Sequence, residues 1–179
     1  MVIPGEGGVG KSQTIQAITK SFEHQQAGDL LVKSAYTGIA ASLINGKTLH
    51  VIAQIPINNS KRSQKANRKL TSFWSKKQYL IINEMSMVAC HILARVSGVL
   101  TSAKLSAGME DRDLPFGGVN VILVGDFHQF PPVGGKLLYW QLDQKKASVS
   151  LYEQFTTVVH LKQQVHVTDS IWQDVLTHV

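Results

Sequence analysis

Eight residues near the start constrain this chain more than any others. Gly5-Glu6-Gly7-Gly8-Val9-Gly10-Lys11-Ser12 fits G-x-x-x-x-G-K-[ST], the phosphate-binding loop. Glycines without a Cβ let the backbone turn tightly and bring its N–H groups against phosphate oxygens. Glu6 and Val9 occupy variable positions of the same loop. Lys11 adds a point charge for the β- and γ-phosphates, and Ser12 offers a hydroxyl to Mg²⁺. Apolar Val2-Ile3 precedes the loop, and helical Gln13-Thr14-Ile15-Gln16-Ala17-Ile18 follows it. A strand therefore feeds the loop, and a helix leaves it with its positive dipole end at the same phosphates. A glycine-rich turn without a ligand is the competing reading, and the strand–loop–helix context speaks against it.

The rest of the chain repeats that alternation. A helix is expected over 12–26, a strand over 30–36, and a short helix over 39–44 capped by Thr37-Gly38. Gln78-Tyr79-Leu80-Ile81-Ile82 and Val119-Asn120-Val121-Ile122-Leu123-Val124 are strands of the kind buried on both faces of a parallel sheet. Between them a long amphipathic helix is expected over 86–105, broken or bent near Gly98. Thr157-Val158-Val159-His160-Leu161 reads as a last strand and 170–178 as a last helix. The pattern predicts one α/β domain over residues 1–179 with a mainly parallel sheet. At 179 residues and 44% hydrophobic, the chain is long and apolar enough for a core. Its single cysteine, Cys90, excludes an internal disulfide framework and a cysteine zinc site, and suits a reducing compartment. No apolar run reaches the length of a membrane span. Functional residues that begin at Gly5 leave no room for a signal peptide, and the short first strand reads as the start of a truncated or partial chain.

In an open α/β sheet, ligands bind at the C-terminal ends of the strands. Two ends besides the loop carry polar residues: Asn83-Glu84, and Asp126 with Gln129. An apolar strand followed by acids is the usual second half of a P-loop hydrolase. Glu84 fits the acid that polarises the attacking water, or an ordinary strand-end cap. Gln129 fits a residue that senses the γ-phosphate or orients the water, or a loop amide bonding backbone.

Net charge is +6, which favours an anionic partner. Residues 61–77 hold seven basic residues (Lys61, Arg62, Lys65, Arg68, Lys69, Lys76, Lys77) and no acid, with Phe73 and Trp74 among them. One reading is a phosphate-contacting face with an aromatic for stacking. The other is a solvated helix with Leu70, Phe73 and Trp74 packed inward. The two are compatible.

Together these strings resemble the first RecA-like motor domain of the Pif-one (petite integration frequency) family of superfamily-one DNA helicases, including Helitron-borne relatives. The resemblance rests on the phosphate loop, on Ala35-Tyr36-Thr37-Gly38-Ile39-Ala40-Ala41, and on Lys47-Thr48-Leu49-His50. It also rests on Leu80-Ile81-Ile82-Asn83-Glu84-Met85-Ser86-Met87-Val88 and Gly125-Asp126-Phe127-His128-Gln129-Phe130-Pro131-Pro132-Val133. It implies a RecA-like three-layer P-loop NTPase fold and a five-prime to three-prime DNA motor driven by ATP and Mg²⁺. Single-stranded and forked DNA would be its partners, with roles in DNA repair, recombination and telomere maintenance in the nucleus or mitochondrion. By the same resemblance Thr37, Gly38 and His50 would lie at the DNA, Ser12 and Asn83 would serve the metal, and Gln129 would couple the γ-phosphate to DNA.

Three departures stand out. Asn83 replaces the family's aspartate, and an amide brings no charge to a hard cation. His166 stands where the family has a γ-phosphate arginine, without its guanidinium fork. The chain stops at Val179, before a second motor domain, so alone it is not expected to unwind DNA. A nucleotide- and DNA-binding module without turnover is therefore the alternative to an active helicase domain. A small-molecule kinase is disfavoured, because no string suggests an acceptor site.

Overall fold

The computed structural model describes residues 1–55, 63–109, 111–139 and 149–164. Five parallel strands form one sheet: β1 (Val2–Pro4), β2 (Leu31–Ala35), β3 (Lys47–Thr48), β4 (Tyr79–Asn83) and β5 (Asn120–Gly125). Their spatial order is β1-β5-β4-β2-β3. The helices are α1 (Lys11–His24), α2 (Gly38–Leu43), α3 (Leu49–Ile52), α4 (Gln64–Trp74), α5 (Cys90–Ser106) and α6 (Val149–Glu153).

Strand alternation builds three layers. Successive side chains leave a strand on opposite faces, and here both faces are apolar. Leu80 and Ile82 join Val121, Leu123, α4 and α5 in the larger core, while Ile81 turns to Val124, Ile3 and Ile15 of α1. A sheet buried on both faces must be covered by helices on both, which gives the expected α/β sandwich.

Four details differ from the sequence reading. Helix α5 starts at Cys90, and residues 85–87 form a 3-10 turn instead. Glu84 enters the left-handed region at φ 57°, which ends β4 abruptly, and the Cys90 N–H is taken by the Lys136 carbonyl. The same helix runs unbroken through Gly98, whose carbonyl accepts from Ser102 Oγ. Phe73 is 38% exposed, whereas Leu70 and Trp74 are buried. Trp74 fills the centre of the α4 contact and donates Nε1 to the Ile52 carbonyl at 3.0 Å, leaving Phe73 edge-on at its rim. Finally, the stretch expected as a last strand touches β1 through two isolated parallel bridges, Val2 to Val158 and Gly5 to Leu161. His166 and the expected last helix lie outside the described residues.

All strand C-termini point to one edge. Pro4, Gly125, Asn83, Ala35 and Thr48 are the last residues of their strands, and every expected site residue is one of them or follows one.

Candidate nucleotide and nucleic-acid site

The phosphate loop leaves β1 and is held at its start by the bond from Gly5 N–H to the Gly125 carbonyl, 3.1 Å. Gly8 and Gly10 have φ of 83° and 84°, a region that side chains disfavour. These two turns wrap the backbone around the end of α1. Gly10 is the N-cap of α1 and no side chain caps its first turn. The first amides of the helix are therefore left for an anion, and no acid stands in that turn to oppose one.

Lys11 Nζ donates to the Gly5 and Glu6 carbonyls, each at 2.8 Å. An ammonium has three donors. Two are spent on holding the side chain back over its own loop, which leaves one proton and the full charge for phosphate. Ser12 is exposed in the first turn of α1.

Two neighbouring strand ends face this loop. Asn83 closes β4 at 4% exposure, and Glu84 follows in its strained left-handed conformation, half-buried. A non-glycine residue there costs on the order of 1–3 kcal/mol, and Gln26, Asn45, Gln54 and Phe116 share that region of φ. Gly125 permits the close fit. A Cβ on it would lie 2.7 Å from Met85 N, so only glycine lets β5 pass this near the turn that carries Glu84. Asp126, 7% exposed, accepts from the His128 N–H at 2.9 Å and so shapes the turn that carries Gln129. Gln129 reaches the loop tip: its Nε2 is 4.0 Å from where a Cβ of Gly7 would stand.

The residues expected at a cation, Ser12 and Asn83, are both uncharged. Among the described residues no group of three or more His, Cys, Asp or Glu could hold a metal. This donor set fits a hard cation that arrives on nucleotide phosphates, which supply the missing negative charge.

The other expected residues gather on the far side of the sheet. Thr37 is the N-cap of α2 and its Oγ1 accepts from the Ala40 N–H at 3.2 Å. Gly38 is open: a Cβ there would meet nothing within 4 Å. His50 sits in α3, and its ring meets Tyr36 edge-on at 5.8 Å. Thr37, Gly38 and His50 thus share one corner, to which Tyr36 belongs as well. Tyr36 was within reach of sequence reading, since it directly precedes Thr37. Gln164 stands two residues before His166, in the same string, but nothing there announces its contact with the loop at Gly7. A hollow of about 460 Å³ lies at the opposite strand ends beside Met1, Tyr79 and Asn120, away from all of these residues.

Residues 1–174 match the family model described as PIF1-like helicase. The ATP-dependent DNA helicase PIF1 of Candida albicans is 34% identical over 134 residues, covering 72% of this chain and 14% of that protein. The chain thus spans about a seventh of that relative's length. The crystal structure of Pif1 helicase from Candida albicans superposes with a TM-score of 0.80 at 26% identity, covering 99% of this chain and 40% of that one. Pif1 helicase from Bacteroides in complex with ADP-AlF3 and ssDNA gives 0.71 at 26% identity, covering 99% and 41%. The fold is that of a RecA-like P-loop NTPase.

Proposed function

This chain belongs to the PIF1-like helicase family, and on that premise we propose that residues 1–179 form one unit, the N-terminal ATP-binding motor domain of an ATP-dependent DNA helicase of five-prime to three-prime type. The observation that carries the reading is the phosphate loop itself: uncapped amides at the start of α1, Lys11 held over the loop by two carbonyls, and Glu84 and Gln129 on the adjoining strand ends. Phosphates would lie on the loop amides and Lys11. Mg²⁺, which neutralises charge on transferring phosphates, would be served by Ser12 and Asn83. Glu84 would take the proton of the attacking water, and Gln129 would report the γ-phosphate. Single-stranded or forked DNA would lie across Thr37, Gly38 and His50. Repair, recombination and telomere maintenance in the nucleus or mitochondrion complete the reading, and all rest on the family.

The test is ATP hydrolysis by the purified chain with and without single-stranded DNA, beside ATP binding by wild type and Lys11→Ala. Binding lost in Lys11→Ala and turnover raised by DNA are expected. Equal ATP affinity in both proteins would remove the loop from the account. Turnover that DNA does not raise would remove the motor.

A further inference from the structure

The stretch after α6 returns to the phosphate loop. The Leu161 N–H donates to the Pro4 carbonyl at 3.0 Å, so this part of the chain runs alongside β1 and reaches the loop with it. Three residues later, Gln164 Nε2 donates to the Gly7 carbonyl at 2.8 Å. The other end of that carboxamide, Oε1, is buried and meets no donor among the described residues. An unmet buried acceptor opposes folding, so packing alone does not account for a glutamine here.

A peptide unit is planar and trans, and the C=O of Gly7 and the N–H of Gly8 point in opposite directions. By drawing the Gly7 carbonyl to its own side, Gln164 turns the Gly8 N–H away from itself. From another flank Gln129 Nε2 approaches the same residue. The exposed tip of the loop stands between two carboxamides carried on different segments.

We propose that Gln164 is a positioning residue for the phosphate seat: it fixes the Gly7–Gly8 peptide so that the Gly8 N–H is presented to phosphate before the nucleotide arrives. The proposal rests on the nucleotide-binding reading above. It commits to the phosphates, not the nucleoside, as the part of the ligand that Gln164 serves.

The experiment titrates the chain with ATP and, separately, with inorganic tripolyphosphate, for wild type, Gln164→Ala, Gln164→Glu and Lys11→Ala. Unliganded melting temperatures are measured beside the titrations. In Gln164→Ala both ligands are expected to bind about fivefold more weakly, by a common factor, as for the loss of one ordinary hydrogen bond. The unliganded melting temperature should hold, because the exposed Gly7 carbonyl passes to water and an Oε1 unmet among the described residues is removed. Gln164→Glu, of the same size, should bind more weakly still, since its carboxylate repels both the Gly7 carbonyl and the phosphates. Wild-type affinity in both Gln164 variants, with Lys11→Ala still impaired, overturns the role of Gln164 and leaves the loop reading intact. A loss for ATP but not for tripolyphosphate also overturns it, as does a loss that only accompanies a fall in melting temperature. Failure of the wild-type chain to bind either ligand overturns the nucleotide reading and this inference with it.

Discussion

At the scale of single residues, the site separates holding from turnover. The holding parts are backbone amides and Lys11, and they sit in the loop and the first turn of α1. On the proposed reading, turnover depends on Glu84 and on the charge around the metal. Replacing Glu84 by Gln keeps size and hydrogen bonding but removes the base. ATP affinity should stay within about threefold of wild type, while steady-state hydrolysis falls by about 10²–10⁴, the usual worth of a general base. Retained turnover would reduce Glu84 to a cap. Asn83→Asp probes the metal. A carboxylate at 4% exposure is costly when nothing neutralises it. The unliganded melting temperature should therefore drop, and the rise on adding Mg²⁺ with ATP should exceed that of wild type. Scanning fluorimetry with and without Mg²⁺ reads both quantities, and an unchanged Mg²⁺ response would detach Asn83 from the metal. The candidate residues were legible because each sits inside a contiguous string: loop, strand end, turn. Gln164 also lies in a contiguous string, residues 161–169, but its contact with Gly7 was not legible, since it spans 157 residues and only the pairing of the chain with β1 creates it.

At the scale of elements, apolar runs located the strands well, because a buried parallel strand has no polar face to confuse its reading. Boundaries that depend on one residue's backbone were harder to see. Nothing in the string Asn83-Glu84-Met85 announces that Glu84 adopts φ 57° and delays α5 to Cys90. The inward-facing aromatic of α4 could not be chosen from spacing either, as Phe73 and Trp74 are adjacent and only the Ile52 carbonyl selects Trp74. Helix α2 offers a test in which fold and function part company. Thr37 caps it through Oγ1. Thr37→Val should cost about 1 kcal/mol in urea unfolding, the ordinary value of a cap, whereas Thr37→Ser should cost little. If Thr37 also meets the nucleic acid, Thr37→Val should weaken single-strand binding beyond what its stability predicts, and Thr37→Ser should restore it. Equal DNA affinity in all three proteins would leave Thr37 as a cap alone.

At the scale of the whole molecule, charge is divided along the sheet. Nine of the 18 Lys and Arg residues and none of the 12 acids lie in residues 30–83. That segment therefore carries +9 and the rest of the chain −3. It contains β2, β3, β4, α2, α3 and α4, the half of the sheet that bears Thr37 and His50. The phosphate loop leaves β1, four strand spacings or about 19 Å away across the sheet. The phosphate loop and the basic excess thus lie at separate ends of one scaffold. On α4, Lys65, Arg68 and Lys69 are exposed at i, i+3 and i+4, which places them on one face. Changing all three to Gln keeps helix propensity nearly constant and spares the buried Leu70 and Trp74. If each cation meets a phosphate of single-stranded DNA, the log–log salt slope of binding should shrink by about 0.7 per contact, or about 2 in all. Fluorescence anisotropy with a labelled oligonucleotide across a salt series measures it. A slope equal to that of wild type would make α4 plain solvated surface, and the excess charge would then have to act through Lys33, Lys47 and the remaining cations of the same half.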